Sequence, residues 1–316
     1  MRNRGLMAVA CTVALAAAAL VVVSGQGQPA DPGAKAPTTA WTPTRTPDGQ
    51  PDLQGIWTNF TATPFEVPLP TATPEVYAGN LDGQGRDTGP GAFLNDMTGR
   101  ELTKQRSLVV DPPNGRVPIM PWAEERRNYK LAHIRDSWEH HTAWERCITR
   151  GVPGGLFPAG YGSGYQILQG PGYVAIIYEM IHEARIIPLD GRPAQPPHVK
   201  SYMGESRGHF EGATLVVRTT HLNGRTGMQG NGMMLMPSDA LELVERFTPV
   251  SAAVLHYEVT VNDPKTWAQP WKVAFPLKRE SDYQIFEYAC HEGNNAMRNI
   301  LSGSRADERA AAVPGR

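Results

Sequence analysis

Acidic, basic and imidazole side chains alternate with apolar residues along two segments of this chain that are predicted to be β-strands. In the first segment, Glu179 and Arg185 fall on one face, because side chains alternate between strand faces with a period of two. In the last segment, Glu287 and His291 share a face for the same reason. If both faces line one barrel mouth, neighbouring charges separate the pKa values of the two carboxylates. Glu179 or Glu287 would then act as catalytic base and His291 as acid.

The same alternation also fits a solvated sheet face with cross-strand ion pairs, which is the usual role of polar residues on strands. If Tyr178 and His182, on the opposite face of the first segment, line the cavity instead, His182 becomes the candidate. A guanidinium group would hold an oxygen-rich substrate. The predicted substrate-binding residues are Tyr165, His182, Arg185, Arg207 and Asn294.

Two motif-like patterns each lack a part that their chemistry needs. The stretch from Gly204 to Gly208 matches the G-x-S-x-G pattern of serine hydrolases, but the residues after it predict a hairpin and not the helix of a nucleophile elbow. His182 and His291 each precede a glutamate, as in the zinc-binding helix motif, yet neither has a second histidine four residues on. The sequence therefore predicts no metal site and no cofactor.

The elements that must position these residues are mostly short strands separated by turns. Asp190-Gly191 and Glu211-Gly212 are turn dipeptides between runs rich in β-branched and aromatic residues. The predicted strands are 165–169, 173–187, 206–210, 214–220, 241–248, 254–262, 271–278 and 283–290. We expect a mainly β fold, either an antiparallel barrel, for example a lipocalin-like one, or a sandwich. An irregular N-terminal region rich in proline and glycine, and one or two helices, would accompany it.

The composition divides the chain into five predicted regions. Residues 1–26 have the charged, apolar and small-residue order of a secretory signal peptide. An uncleaved membrane anchor is the alternative, because an apolar run of about 18 residues is just long enough to span a bilayer. The other regions are a flexible linker at 27–50, an extended wrapping region at 51–164 with one helix at about 121–141, the β barrel or sandwich at 165–303, and a disordered tail at 304–316.

Charge and cysteine content limit the partners and the compartment. The 30 Lys and Arg residues balance 31 Asp and Glu residues, so no basic excess suggests nucleic acid as a partner. Removal of the signal peptide leaves Cys147 and Cys290 as the only cysteines. In an oxidising compartment we expect them to form one disulfide, with two separate buried thiols as the alternative. We expect no stable membrane insertion after signal removal.

Several motifs along the chain together resemble a large family of uncharacterised secreted bacterial proteins. They are PDLQGIW at 51–57, LVVDPPNGRVP at 108–118, WERCITRGVPG at 144–154, YEMIHEARIIPLDGR at 178–192 and IFEYACHEGN at 285–294. The resemblance covers nearly all of the mature chain and implies secretion, but it assigns no activity. Ala213 stands where members usually have aspartate after Glu-Gly, so we expect no catalytic role at that position.

The sequence thus predicts an exported β protein that recognises a small organic molecule in the periplasm or outside the cell. A metal-independent hydrolase or lyase acting on an oxygen-rich substrate is one form of this function. A non-catalytic periplasmic ligand-binding protein and a structural module of the envelope are the alternatives. A binding protein needs only a deep, mostly apolar pocket, whereas an enzyme needs two ionisable groups at one substrate position.

Overall fold

The computed structural model describes residues 41–59, 61, 63–67, 105–159, 164–228 and 235–312. The strands are β1 (Gly55–Thr58), β2 (Val109–Asp111), β3 (Gly164–Gly170), β4 (Tyr173–Tyr178), β5 (Ala184–Pro188), β6 (Glu205–Glu211), β7 (Thr214–Thr220), β8 (Glu242–Ser251), β9 (Val254–Asn262) and β10 (Trp271–Arg279). The helices are α1 (Pro121–Ala132) and α2 (Ala296–Ala311), and single 3-10 turns occur at Trp138–His140 and Met180–His182. The predicted mainly β class is confirmed. The predicted signal peptide lies outside the described residues.

All ten strands belong to one sheet, in the order β5-β4-β3-β1-β10-β9-β8-β7-β6 with β2 also paired to β10. The sheet curls into a nearly closed barrel, because its two edge strands, β5 and β6, lie against each other. Neighbours in this order are antiparallel, so a row of nine strands leaves both edges running in the same direction. No ladder pairs β5 with β6, both of which are fully described. We call this junction the seam.

Large aromatic side chains fill the inside of the barrel. Residues of β8 and β9 alternate between buried and partly exposed, as the two-residue period of a strand requires. Phe247, Tyr257 and Phe275 lie opposite one another on β8, β9 and β10, with ring centroids 5.0 and 5.1 Å apart. Trp57 and Tyr165 form the corresponding buried pair on β1 and β3. The core is therefore built from the inward faces of the sheet.

The predicted strand 173–187 is wrong in its middle. The chain turns back after Tyr178, and β4 and β5 form a hairpin. Ile181 and His182, with φ values of 60° and 43°, adopt the left-handed conformation that β-branched residues rarely take. The residues on both sides favour strands, and no glycine or proline marks the turn. Glu179 therefore lies in the turn and Arg185 on the next strand, so they share no strand face.

The predicted strand 283–290 is also wrong. Strand β10 is already paired with β9 along one edge and with β1 and β2 along the other. The two outer edges of the sheet meet at the seam, so no edge is left for a further strand. The segment instead runs without regular secondary structure until α2 begins at Ala296. The side chains of residues 283–290 therefore do not alternate between an inner and an outer face of the sheet.

The N-terminal region contributes to the barrel as well as lying around it. Strand β1 lies between β3 and β10, so the barrel begins well before residue 165. Within the predicted linker, residues 44–51 form an ordered turn in which Arg45 pairs with Pro51. The hydroxyl of Thr46 accepts the backbone N–H of Gln50 at 3.1 Å. The predicted boundaries at residues 50 and 164 therefore do not coincide with structural boundaries.

Both helices differ in length from the predictions. Helix α1 begins at Pro121, as expected for proline in a first turn, but it ends at Ala132 and not near residue 141. Helix α2 continues to Ala311, so residues 304–311 of the predicted disordered tail are helical. An ion pair of 2.5 Å between Arg135 and Asp307 connects α2 to the segment after α1. The tail forms a helix because it is rich in alanine and arginine, which both favour helices.

A buried ion pair spans the seam from β5 to β8. Arg185 donates from both terminal nitrogens to the carboxylate of Glu245, and the two side chains are 2% and 0% exposed. Arg185 Nε donates to Ser206 Oγ on β6 at 2.7 Å, and its Nη2 donates to Thr219 Oγ1 on β7 at 2.7 Å. The hydroxyl of Tyr257 on β9 donates to Glu245 at 3.0 Å. This network replaces the missing ladder between β5 and β6 with side-chain hydrogen bonds.

The pKa directions in the network follow from its burial and its charges. Burial alone would lower the pKa of Arg185, but the adjacent Glu245 carboxylate outweighs it and raises that pKa. Tyr178 also belongs to this network through a side-chain hydrogen bond with Arg185. Burial raises the pKa of Tyr178 to about 12, and it raises that of Tyr257 well above the ordinary value. The arginine thus stays charged and both tyrosines stay protonated at neutral pH, so their hydrogen-bonding roles are constant. Arg185 is a structural residue and not a substrate-binding one.

Glu245→Gln should strongly destabilise the protein, because it leaves the Arg185 charge buried without a counter-ion. We expect a loss of about 3–5 kcal/mol in the free energy of unfolding, measured by urea titration. Glu242→Gln is the control on the same strand, since Glu242 pairs with the exposed Arg218 at 2.7 Å. That surface pair should contribute less than about 1 kcal/mol. Equal losses in the two variants would contradict the role given to the buried pair.

Candidate functional site

Residues with a strained backbone gather at the end of the barrel where β4 and β7 end and β5 and β6 begin, which we call the seam end. Four described residues other than glycine have positive φ: Cys147, Ile181, His182 and His221. Such conformations cost about 1–3 kcal/mol each and concentrate at active sites and ligand clamps. Ile181 and His182 form the β4–β5 turn, and His221 directly follows β7. The seam end is therefore the part of the barrel in which to look for a functional site.

A segment of the C-terminal region lies over this end, and we call residues 283–294 the strap. The predicted disulfide between Cys147 and Cys290 is present and holds the strap at its centre. Asn294 Nδ2 donates to Cys147 Sγ at 3.1 Å and to the Cys290 carbonyl at 3.0 Å. His182 Nδ1 lies 3.2 Å from the carbonyl oxygen of Tyr288, to which it donates. The strap is thus attached to two of the strained positions.

Glu179, one of the predicted catalytic residues, lies buried beneath the start of the strap. Its side chain accepts a short hydrogen bond from the hydroxyl of Tyr283, and the backbone N–H of Phe286 lies 3.5 Å from the same oxygen. Burial, and then this carboxylate, raise the pKa of Tyr283. Gly164 packs against the pair so closely that a Cβ there would lie 2.9 Å from both side chains. Glu179 therefore anchors the strap.

The other two predicted catalytic residues lie apart from any buried site. Glu287 and His291 are exposed, and the strand face that was to align them with Glu179 does not form. The acid–base set predicted from strand alternation is therefore not assembled. The reason is topological, since the barrel has no edge at which the segment 283–290 could pair.

The predicted substrate-binding residues have different environments. Tyr165 lies in the barrel core, where Asn59 Nδ2 donates to its hydroxyl at 2.8 Å. Arg185 belongs to the buried network across the seam. His182 and Asn294 are exposed residues that hold the strap. Only Arg207 lies in a polar cluster that is both partly exposed and at the seam end.

That cluster contains Glu205, Arg207 and His221, and we call it the His221 cluster. Arg207 Nη2 donates to one carboxylate oxygen of Glu205, and His221 Nδ1 lies 3.5 Å from the other. The same imidazole nitrogen is 2.8 Å from Thr220 Oγ1. The side chains of His221 and Glu205 are only 15% and 11% exposed. A carboxylate, a guanidinium and an imidazole thus meet at a site with little solvent.

The sequence reasoning missed His221 and Glu205 as functional candidates. Glu205 stands at the start of β6 and His221 just after β7, and the ladder between these strands pairs Glu205 with Thr220. Gly204 allows the close approach, because with φ of 65° it packs directly against the backbone carbonyl of Thr220. The sequence feature that could have identified them is the β6–β7 hairpin, which carries a carboxylate and an imidazole at its open end. Only the register shows that the two are neighbours.

A buried loop residue, Thr149, connects the segment before β5 with the segment before β6. Thr149 Oγ1 donates to the carboxylate of Glu183 at 2.6 Å and lies 3.5 Å from the sulfur of Met203. Glu183 immediately precedes β5, and Met203 lies just before β6. Burial raises the pKa of Glu183, although the Thr149 hydrogen bond partly opposes this. The segments that lead into the two edge strands β5 and β6 are thus joined beneath the surface through Thr149.

Comparison with protein families, with curated proteins and with solved structures finds no match for this chain. In the described ranges, no three His, Cys, Asp or Glu side chains form a group that could hold a metal ion. No α-helix of the described chain is long and apolar enough to cross a membrane. The side chains at the seam end are therefore the basis for any assignment of function.

Tyr283→Phe should loosen the strap, because it removes the hydroxyl that satisfies the buried Glu179 carboxylate. We expect a loss of about 1–3 kcal/mol in unfolding free energy and faster amide exchange across residues 283–288. In the wild type this contribution is complete below the ordinary tyrosine pKa of about 10. It is lost as the pH rises through the raised pKa of Tyr283.

Tyr173→Phe is the matched control, since Tyr173 is 43% exposed on β4. It should leave both the stability and the exchange of the strap unchanged. Unaltered exchange of residues 283–288 in Tyr283→Phe would refute the anchoring role of Glu179. Hydrogen–deuterium exchange with peptide-level mass spectrometry measures both variants.

Proposed function

We propose that this protein is exported and recognises a small, oxygen-rich organic molecule at the seam end of its barrel. The observation that carries the proposal is the concentration of strained residues there, together with the partly enclosed His221 cluster. Strain of this kind persists where the surrounding structure holds a residue in a conformation that function requires. The guanidinium, carboxylate and imidazole of the cluster supply hydrogen-bond donors and acceptors suited to hydroxyl, carbonyl or carboxylate groups.

The position of the site differs from the barrel mouth of the sequence-based hypothesis. Trp57, Tyr165, Phe247, Tyr257 and Phe275 occupy the interior, so the ligand in our proposal contacts the end of the barrel. A purely structural envelope module would need no strained histidines and no partly enclosed ion pairs. The contacts of His221, which hold no segment such as the strap, therefore favour recognition over a structural role.

Export is the second part of the proposal. It is supported by the signal-peptide order of residues 1–26 and by the disulfide, since disulfides persist mainly in oxidising compartments. Membership of the family of secreted bacterial proteins that carry the same motifs is part of this proposal. Under this proposal the protein functions in the periplasm or outside the cell.

Export predicts a shortened chain outside the cytoplasm. Full-length protein produced in a bacterial host should appear in the periplasmic or extracellular fraction with an N-terminus near residue 27, as measured by intact mass. Replacing Val13 and Leu15 with arginine should keep the chain uncleaved in the cytoplasm, because charge disrupts the apolar segment. Cytoplasmic accumulation of the uncleaved wild type would refute export.

Recognition can be tested although the ligand is unidentified. Purified protein is incubated with an environmental metabolite extract, and both free and protein-bound compounds are followed by mass spectrometry. We expect the wild type to retain or consume an oxygen-rich compound and His221→Asn to lose this ability. Asparagine tolerates positive φ, so the backbone at this position should be preserved.

His198→Asn is the control, because His198 is an exposed histidine in the loop between β5 and β6. It should behave as the wild type does. Equal results for wild type and His221→Asn would refute the proposed site. If no compound is retained or consumed by the wild type, the recognition function itself is refuted.

A further inference from the structure

The two ring nitrogens of His221 have different surroundings. Nδ1 faces the Glu205 carboxylate at 3.5 Å and the Thr220 hydroxyl at 2.8 Å. Within the described part of the chain, Nε2 makes no hydrogen bond. The carboxylate is an anion close to Nδ1, so its charge favours the tautomer in which Nδ1 carries the proton and donates it to the Thr220 hydroxyl. The Nε2 lone pair is then available to accept a proton.

Glu205 is held in its ionised form and close to Nδ1 of His221, and both conditions favour this tautomer. Burial tends to raise its pKa, but the hydrogen bond from Arg207 and the backbone N–H of Gln195 outweigh this and lower it. The Gln195 N–H lies 3.0 Å from one carboxylate oxygen, and Arg207 is itself fixed by donating to the Pro193 carbonyl. Glu205 therefore remains an anion at neutral pH. It can stabilise the imidazolium that forms when Nε2 takes up a proton.

The backbone also fixes the orientation of the imidazole. His221 has a φ of 60°, and its carbonyl accepts the N–H of Ser201 at 3.0 Å. An imidazole with one nitrogen hydrogen-bonded beside a carboxylate, and with no hydrogen bond to the other in the described structure, is the arrangement of a general base. Glu205 and Arg207 act through His221, so they are positioning residues.

We infer that His221 is the general base of a hydrolytic site for carboxylic esters or lactones, an inference that rests on the proposed recognition at the seam end. Nε2 removes a proton from water as the water oxygen attacks the carbonyl carbon. The imidazolium then returns this proton to the leaving alkoxide as the C–O bond breaks. The products are one carboxylic acid and one alcohol, and His221 is again neutral. Water is a nucleophile that an imidazole can activate without a second side chain.

The test uses the full exported protein and 4-nitrophenyl acetate as the probe ester. We expect turnover beyond one equivalent, with kcat/KM in His221→Asn lower by about 10²- to 10⁴-fold, the range for loss of a general base. His198→Asn should match the wild type. Thermal unfolding of each variant confirms that it is folded. Wild-type turnover no faster than that of His221→Asn overturns the inference.

Two further measurements separate a catalytic role from a structural one. Glu205→Gln should lower kcat, leave KM unchanged and alter the pH profile of kcat, because the amide cannot stabilise an imidazolium as an anion does. In the wild type, diethyl pyrocarbonate should abolish turnover in step with modification of His221, measured by peptide mass, and hydroxylamine should restore it. Turnover that persists after complete modification of His221 overturns the inference without any substitution.

The outcome also distinguishes this inference from the proposed function. If the metabolite extract yields a compound that is retained but never consumed, and the probe ester is not hydrolysed, recognition stands and the hydrolytic role is refuted. If hydrolysis of the probe depends on His221 while no compound of the extract is retained or consumed, the base is supported and the proposed recognition of such compounds is refuted.

Discussion

The ion pair between Arg185 and Glu245 lies inside the barrel and joins strands that no backbone ladder connects. An uneven number of antiparallel strands brings two parallel edges together, and the described structure closes that junction with side chains. Arg185 supplies donors in several directions, so one residue reaches β6, β7 and β8. Removing two charges from water costs several kcal/mol per ion, and this cost is offset only because nearly every donor and acceptor is paired. The seam thus depends on a polar network in which nearly all groups are paired.

The closure of the barrel also determines which side chains point outward at the seam end. Ser206 points inward to Arg185, so its neighbour Glu205 points outward, because successive side chains on a strand alternate. In the same way, Thr219 joins the network while Thr220 contacts His221. The buried network and the His221 cluster are therefore two faces of the same hairpin. Stability of the barrel and geometry of the candidate site are coupled through these adjacent residues.

The strap is a second consequence of the sheet order. Because β10 is paired along both edges, the chain that follows it cannot join the sheet and crosses the seam end. It is attached there by the Glu179–Tyr283 hydrogen bond and by the disulfide. A carboxylate that strand alternation presented as a catalytic base is thus used to hold a segment in place. Glu179 holds the strap and is not a free base because it is buried and accepts the hydroxyl of Tyr283.

The sequence by itself determined the local features of this protein. Runs rich in β-branched and aromatic residues located β8, β9 and β10, Glu211-Gly212 located the β6–β7 hairpin, and the two cysteines predicted the disulfide, because each depends on neighbouring residues or on composition. Asp190-Gly191 follows β5 but forms no hairpin, since β5 and β6 are not paired. The tertiary structure alone decided the turn at Ile181 and His182, the insertion of β1 between β3 and β10, and the exclusion of residues 283–290 from the sheet. It also brought Glu205 beside His221 across a hairpin register. These features depend on which strand edges are free and which charges are buried, and both are properties of the whole chain in three dimensions.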